Sequence, residues 1–310
     1  MARITLTEFV AKNNSELGAP FQELMAVIET VAQKIHAKLD RNGLIEESGD
    51  SGSTNVYGEE VQKLDEYANA ILTDSLLVCT AVHAVGSEEL SDPKFSTHEK
   101  GSYIVTHDPV DGSSNIDTNL PIGTIFGVYP KNETVLQKGS TLIVSGYVLY
   151  GPSMMLVYAT KGHVNGFTFD PSIGAFVLSY PDIEIGDKKY YGINEGNWEL
   201  FSEGDRAYLS SIKKEGGYSL RYVGSMVGDI HRTLLKGGIF IYPSDSKHPN
   251  GKLRLLYEVA PLSFLIIQAG GDAISDKTNP LDLLPEKHDQ RVAIALGSKS
   301  EIKKYLSFQI

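Results

Sequence analysis

The sequence predicts an α/β protein in which helices and sheets form layers, organised as two closely packed parts. Three observations support this prediction. Two helical segments with one apolar face lie near the start of the chain, strand-like segments dominate its middle, and helices and strands alternate in its second half. Alternation of this kind is typical of an α/β layer, in which helices cover a sheet.

The elements of the first half follow from residue patterns. Apolar residues spaced three and four apart predict an amphipathic helix over 21–39, which Asn42-Gly43 would end. The polar, glycine-containing stretch 46–55 predicts a mobile loop, and a second helix is predicted over 60–75. The strands that follow are predicted over 82–85, 103–105, 123–129, 141–150, 154–159 and 164–169.

A polar, turn-rich segment between residues 180 and 189 predicts a boundary. We therefore divide the chain into a part over 1–183 and a part over 184–310. The second part alternates between the two kinds of element. Its helices are predicted over 198–213, 225–235, 255–269 and from 299 onward, and its strands over 220–224, 238–242 and 291–297.

The composition narrows the classes of function. The 310 residues include 28 basic and 39 acidic side chains, a net charge of −11, which gives no sign of the basic surface of a nucleic-acid-binding protein. An acidic enzyme that acts on an anionic substrate needs local positive charge, from a few Lys and Arg side chains or from bound cations. The single cysteine, Cys79, excludes an intramolecular disulfide and a cysteine-rich metal cluster.

No apolar run is long enough for a membrane span, since the longest, over 259–267, is short and contains a proline. The first residues lack the apolar core of a secretory signal. We therefore expect a cytoplasmic protein with neither a membrane nor a nucleic acid as partner, although a removed transit peptide would leave no trace.

The most informative segment reads DPVDGSSNID over residues 108–117. Asp108 and Asp111 follow a strand-like run and are separated by a proline that interrupts regular pairing, so we expect their carboxylates to converge at a strand end. The turn over 112–114 offers backbone N–H groups and hydroxyls that can hold phosphate. Acids beside an anion site indicate a hard cation between them, and Mg²⁺ suits this role. The alternative, a helix cap, needs only one aspartate.

Further acids lie upstream of this segment. Glu88 and Glu89 follow a predicted strand and are candidates for a metal ligand and for a carboxylate that orients water, although such a pair alone is more often a solvated surface. Glu59 and Asp65 flank the start of the second predicted helix, after the loop. Closure of that loop would bring them to the site and gate catalysis.

These motifs together resemble the class I fructose-1,6-bisphosphatase and sedoheptulose-1,7-bisphosphatase family. The resemblance covers residues 21 to the C-terminus and implies a fructose-1,6-bisphosphatase-like sugar phosphatase fold, with a metal-binding first part and a sugar-phosphate-binding second part. It is carried by NVYGE over 55–59, SEE over 87–89, DPVDGSSNID, GTIFG over 123–127, NEG over 194–196, RYVGSM over 221–226 and GKLRLLYE over 251–258.

The resemblance implies roles for individual acids. Two or more Mg²⁺ ions, with Mn²⁺ as a substitute, would be bound by Glu88, Glu89, Asp108, the backbone carbonyl of Val110, Asp111 and Glu258. Asp65 and Glu89 match the acids that activate the attacking water. Glu59 stands where the family usually has an aspartate on the closing loop, and its longer side chain is expected to take the catalytic role of that residue.

The resemblance also implies the contacts of the substrate, a sugar bisphosphate. The leaving 1-phosphate would be held by the turn, and the sugar and the distal phosphate by the second part. Arg221 matches a residue that the family donates across a subunit boundary, which implies a homodimer or homotetramer. The substrate-binding set is Asp111, Gly112, Ser113, Ser114, Asn194, Arg221, Tyr222, Gly224, Ser225, Met226, Tyr242 and Lys252.

The function implied is Mg²⁺-dependent hydrolysis of fructose 1,6-bisphosphate to fructose 6-phosphate, a step of carbohydrate metabolism. Asp117-Thr118-Asn119 looks more like the sedoheptulose enzyme, so sedoheptulose-1,7-bisphosphatase activity is an alternative. A catalytically dead regulatory scaffold is disfavoured by the complete set of acids. A general monophosphatase is disfavoured because Arg221, Tyr222 and Lys252 suit a second phosphate.

Overall fold

A computed structural model describes residues 3–41, 50–54, 60–98 and 100–309. The helices of these residues begin near the N-terminus and recur through the second half of the chain. The α-helices are Leu6–Asn13 (α1), Gly18–Leu39 (α2), Lys63–Val78 (α3), Glu203–Glu215 (α4), Met226–Lys236 (α5), Ala260–Gln268 (α6) and Lys299–Leu306 (α7).

The strands of the first half form a ribbon and a large sheet. The ribbon pairs Asp50–Thr54 (β1) with Glu60–Gln62 (β2). The sheet has the spatial order β10-β9-β8-β7-β6-β5-β3-β4 and is antiparallel except for the parallel pair β3 and β5. Its strands are Val82–Ser87 (β3), Lys94–Phe95 (β4), Tyr103–Asp111 (β5), Ile122–Pro130 (β6), Val144–Tyr150 (β7), Met155–Thr160 (β8), His163–Asp170 (β9) and Ala175–Tyr180 (β10).

The second half contributes a mixed five-stranded sheet, ordered β12-β11-β13-β17-β15, and a short pair formed by β14 and β16. Its strands are Tyr190–Gly192 (β11), Ser219–Leu220 (β12), Ile239–Tyr242 (β13), Leu253–Arg254 (β14), Asp272–Ile274 (β15), Arg291–Val292 (β16) and Ile294–Gly297 (β17).

Successive side chains of a strand point to opposite faces of its sheet. Both sheets carry apolar residues on both faces, so each face needs a covering layer. Helices α1, α2 and α3 pack on one face of the large sheet, where Leu72 is buried. Helices α5 and α6 lie between the sheets, and their Ile230 and Leu265 belong to a core that includes residues of both. Helices α4 and α7 cover the outer face of the smaller sheet through Tyr208 and Ile302. The described residues thus form five alternating layers, which confirms the predicted α/β class.

The element boundaries differ from the prediction in several places. Residues 50–54 of the predicted loop are a strand, and the rest of that loop, 46–49 and 55, lies outside the described residues. The second helix begins at Lys63, because 60–62 pair with β1 instead. Strand β7 begins only at Val144, after a 3₁₀ turn over Gly139–Thr141.

In the second part the differences lie at helix starts. Residues 195–200 form a 3₁₀ turn, and α4 begins after Ser202, whose hydroxyl accepts a hydrogen bond from the Asp205 amide as an N-cap. The predicted strand over 220–224 is short, because most of it forms the loop that leads into α5. The predicted helix over 255–269 opens with a π-helical turn, Leu255–Val259.

Candidate active site

Strand pairing brings the first two acids together. Strands β3 and β5 are parallel, with Ser87 beside His107, and the Glu88 amide donates a hydrogen bond to the His107 carbonyl at 3.1 Å. Glu88 and Asp108 each follow these paired residues, so their side chains leave the same edge of the sheet. In open α/β sheets the carboxyl ends of parallel strands are where ligands bind.

The proline at position 109 interrupts regular pairing, as predicted from the sequence, but it does not end the strand. Strand β5 continues to Asp111, and its pairing with β6 shifts register between Asp108 and Asp111. The irregularity frees the Pro109 carbonyl, which accepts a hydrogen bond from the buried Thr124 hydroxyl at 2.7 Å. The Val110 amide donates to Asp108 Oδ1 at 3.0 Å. The bulge therefore keeps the segment ordered while it re-aims the carboxylates.

The third acid comes from the second half of the chain. Glu258 lies in the π-helical turn before α6, and its Oε2 accepts a hydrogen bond from the Arg254 amide at 2.6 Å. Such turns frequently occur at functional sites. Ligand atoms of Glu88, Asp108 and Glu258 all lie within 4.8 Å of one another, and all three residues are buried. We call these three residues the acidic cluster.

Burial and mutual repulsion make the charged form of the acidic cluster costly. Burial, followed by repulsion from Glu88, Asp111 and Glu258, raises the pKa of Asp108 well above its usual range. Burial raises the pKa of Glu258 to about 7, although Arg254 acts in the opposite direction. The Arg254 guanidinium also contacts Glu88, with Nη1 at 2.5 Å from Oε1.

The donor set of the acidic cluster fits a hard divalent cation. Carboxylate oxygens are the ligands that Mg²⁺ and Mn²⁺ prefer, and buried charges of one sign require a counter-charge. Within the described residues, Arg254 and Arg291 act on the cluster, but its three carboxylates, with Asp111 beside them, outnumber these two guanidinium groups when all are ionised. Glu88, Asp108 and Glu258 could therefore hold a metal ion, in agreement with the cofactor prediction.

Asp111 lies beside the acidic cluster but is not one of its members. Its carboxylate accepts hydrogen bonds from the Ser225 hydroxyl at 2.6 Å and from the amides of Met226 and Val227 at 3.2 and 2.8 Å. These amides belong to the first turn of α5, where a negative charge is favourable. Asp111 therefore anchors the start of this helix, a capping role that was disfavoured from the sequence.

The turn after Asp111 is shaped for close approach. Gly112 has φ +80°, and a Cβ atom there would lie 2.5 Å from the Ser225 Cβ. Ser113 begins a 3₁₀ turn and is half-buried, whereas Ser114 is exposed. Backbone amides and hydroxyls are thus available beside the acids, as an anion site requires.

Two tyrosines of the second part, Tyr222 and Tyr242, lie within the electrostatic influence of the acids. Burial raises the pKa of Tyr222, and Tyr242, Asp229 and Asp111 add to the shift. Burial also raises the pKa of Tyr242, with Glu258 as the next cause. Both phenols therefore remain neutral hydrogen-bonding groups within the field of the acids.

The other predicted second-part residues surround the loop that leads into α5 or lie at the surface. Asn194 is exposed and accepts a hydrogen bond from the Gly196 amide at 3.1 Å. Arg221 is exposed, with its guanidinium carbon 5.6 Å from the centre of the Tyr190 ring. Gly224 has φ +84°, and Lys252 is half-buried.

The two proposed water-activating acids within the described residues, Asp65 and Glu89, differ in burial. Asp65 is buried in the first turn of α3, and Glu89 is half-buried, with its amide donating to the Ser87 hydroxyl oxygen at 3.3 Å. Neither belongs to the acidic cluster. Glu59 lies outside the described residues, and its role stays a prediction.

Two charged residues at the site, Arg254 and Asp229, were not predicted from the sequence. Arg254 contacts two members of the acidic cluster. Asp229 accepts hydrogen bonds from the amides of Val223 and Gly224 and pairs with Arg232 at 2.9 Å, which orders the loop before α5. The only sequence signal for Arg254 is its position four residues before an acid in an otherwise apolar segment.

Comparison with known proteins gives consistent matches over both halves of the chain. The family model "Fructose-1-6-bisphosphatase, N-terminal domain" matches residues 4–181, and "Fructose-1-6-bisphosphatase, C-terminal domain" matches residues 185–309. The fructose-1,6-bisphosphatase class 1 of Persephonella marina is 46% identical over 304 residues, which cover 96% of this chain and 94% of that protein. The cytosolic fructose-1,6-bisphosphatase of Arabidopsis thaliana is 43% identical, with 97% and 93% covered.

The crystal structure of Leishmania major fructose-1,6-bisphosphatase in its holo form superposes with a TM-score of 0.95, at 37% identity over 99% of both chains. In the described residues no helix has the length and apolar character needed to cross a bilayer. Together, fold, site and matches define a phosphatase. The chain belongs to the class I fructose-1,6-bisphosphatase family, which confirms the resemblance and the prediction of an enzyme.

Proposed function

We propose that this phosphatase hydrolyses the 1-phosphate of fructose 1,6-bisphosphate to give fructose 6-phosphate and phosphate. The acidic cluster beside the turn over 112–114 carries the proposal, because it unites a cation site with a phosphate site. The names of the similar proteins support the choice of sugar. As in the plant relative named cytosolic, we propose that the reaction takes place in the cytosol.

Glu88, Asp108 and Glu258 would hold Mg²⁺ or Mn²⁺, and Glu89, Asp111 and the Val110 carbonyl would complete the metal-binding set. Bound divalent cations of this kind lower the pKa of water and neutralise charge on phosphoryl oxygens. The acids of the cluster repel one another when they are ionised, and a bound divalent cation would relieve this repulsion.

Other side chains position the substrate and accept protons. Asp65 and Glu89 would accept the proton of the attacking water. Amides and hydroxyls at Gly112, Ser113 and Ser114 would hold the 1-phosphate. The sugar and distal phosphate would be held by Asn194, Arg221 from a neighbouring subunit, Tyr222, Gly224, Ser225, Met226, Tyr242 and Lys252.

Phosphate release in the presence of Mg²⁺ tests this proposal, with fructose 1,6-bisphosphate, sedoheptulose 1,7-bisphosphate and inositol 1-phosphate assayed side by side. We expect fructose 1,6-bisphosphate to give the highest kcat/KM and Asp108→Asn to abolish turnover. A higher kcat/KM for the sedoheptulose substrate would establish the alternative activity. Turnover of inositol 1-phosphate alone would contradict a site built for two phosphates.

A further inference from the structure

A group of hydrogen bonds joins α3, β3 and β5, which carry or directly precede acids of the proposed site. Asn69 lies on α3, one turn after Asp65. Its Oδ1 accepts hydrogen bonds from the Ser87 hydroxyl at 2.7 Å and from the Thr73 hydroxyl at 3.2 Å. Ser87 is the last residue of β3 and directly precedes Glu88.

Each of the two hydroxyls makes a second contact. The Ser87 oxygen accepts from the Glu89 amide at 3.3 Å, and Thr73 Oγ1 lies 3.2 Å from Nε2 of His107 on β5. With the Thr73 hydroxyl proton directed to Asn69, the Thr73 oxygen accepts from His107, which then carries its proton on Nε2.

These hydrogen bonds restrain the end of β3, where Glu88 follows Ser87. When the carboxylates of the acidic cluster are ionised without a cation, they repel one another, and this repulsion tends to push Glu88 away from Asp108. The Glu88 amide is attached to β5 through the His107 carbonyl. The Ser87–Asn69 bond attaches the same turn of chain to α3, so the carboxylates are held at ligand spacing.

We propose that Asn69 is a positioning residue that holds the end of β3 against α3 and β5, so that the acidic cluster is preformed for cation binding. The inference rests on the proposed function, for which these acids bind the metal. Residues that orient metal ligands typically change metal affinity 10- to 100-fold when they are replaced. We therefore expect Asn69→Leu, which removes the acceptor at similar volume, to weaken cation binding by about tenfold.

Mn²⁺ binding to the metal-stripped full chain, measured by electron paramagnetic resonance without substrate, tests this directly. The matched control is Asn165→Leu, because the Asn165 side-chain oxygen also accepts a hydrogen bond, from the Asp182 amide at 2.9 Å, but lies on β9; Asn165 is buried, whereas Asn69 is half-buried. Both variants should lower the Tm, but only Asn69→Leu should raise the Kd for Mn²⁺. In activity assays it should raise the Mg²⁺ requirement while KM for the sugar changes little.

Two further variants keep the test decisive. Asn69→Asp retains an acceptor and should bind Mn²⁺ at least as tightly as the wild type, and Ser87→Ala is a milder disruption should Asn69→Leu fail to fold. Unchanged Mn²⁺ affinity in Asn69→Leu and Ser87→Ala, or equal weakening in Asn165→Leu, would overturn the inference. Wild-type protein that binds Mn²⁺ but hydrolyses no sugar bisphosphate would instead refute the proposed function.

Discussion

The buried side chain of Asp111 has a structural role and a proposed metal-binding role. It anchors the first turn of α5 through three hydrogen bonds, and we propose that it also completes the metal site. Hydrogen bonds to a charged group contribute about 1.5–3 kcal/mol each, and they offset part of the burial that raises the pKa of Asp111. The two roles can be separated by choosing the substitution.

We expect Asp111→Ala to lower kcat by about 100-fold or more and to lower the Tm. Asp111→Asn keeps a carbonyl acceptor for α5, so it should lose similar activity with a smaller loss of stability. Steady-state kinetics at saturating Mg²⁺ and thermal unfolding measure the two effects. Near-normal turnover in both variants would exclude Asp111 from the metal site.

Glu258 predicts how the stability of the metal-free protein depends on pH. Burial raises its pKa from 4.5 to about 7 in the folded protein. Between these values the folded state holds a proton that the unfolded state has lost, so this contribution to stability decreases as pH rises. In EDTA, the Tm of the wild type relative to Glu258→Gln should therefore fall between pH 5 and pH 7.5. A constant difference between the two proteins would contradict the raised pKa.

At the scale of elements, the critical contact lies between the bulge of β5 and the start of α5, where Gly112 packs against Ser225. We call this contact the joint. Gly112 permits it, because its φ is +80° and its missing side chain leaves room for Ser225. Gly112→Ala should lower both the Tm and the activity. Gly162→Ala is the control, since Gly162 has φ +81° with no atom within 4 Å of an added Cβ.

Adopting a left-handed conformation costs roughly 1–2 kcal/mol for a residue with a Cβ, and both variants carry this cost. The contact with Ser225 should make Gly112→Ala the less stable of the two and the one that loses phosphate release. Equal thermal stability and equal activity of the two variants would show that the joint tolerates a methyl group.

Most elements near the site are predictable from local pattern, since the periodicity around residues 225–235 gives α5 to within one residue. The π-helical turn before α6 is not, because an apolar run has no 3.6-residue signal that marks an extra residue in one turn. The pairing of Arg254 with Glu88 is also beyond local pattern. It arises from two segments more than a hundred residues apart in sequence.

At the scale of the whole molecule, the five layers place acids from both halves of the chain at one site, and assembly is expected to add a residue from a neighbour. We propose that Arg221 serves the site of an adjacent subunit. Mixed oligomers of Arg221→Ala and Asp111→Ala subunits should then recover part of the activity, because one site in each pair has both residues.

Mixtures of Asp111→Ala and Glu258→Gln provide the control, since both residues belong to the site of their own chain and no recovery is expected. Native mass spectrometry establishes that subunits exchange. Exchange without recovered activity in the Arg221→Ala mixture would show that Arg221 is not shared.

The central claim is that the acidic cluster holds the catalytic cation beside the phosphate-binding turn. Anomalous X-ray diffraction from crystals grown with Mn²⁺, fructose 6-phosphate and phosphate tests it most directly. We expect an anomalous peak between the carboxylates of Glu88, Asp108 and Glu258, with phosphate against the turn over 112–114. Ordered product with no anomalous peak at these three carboxylates would contradict the account.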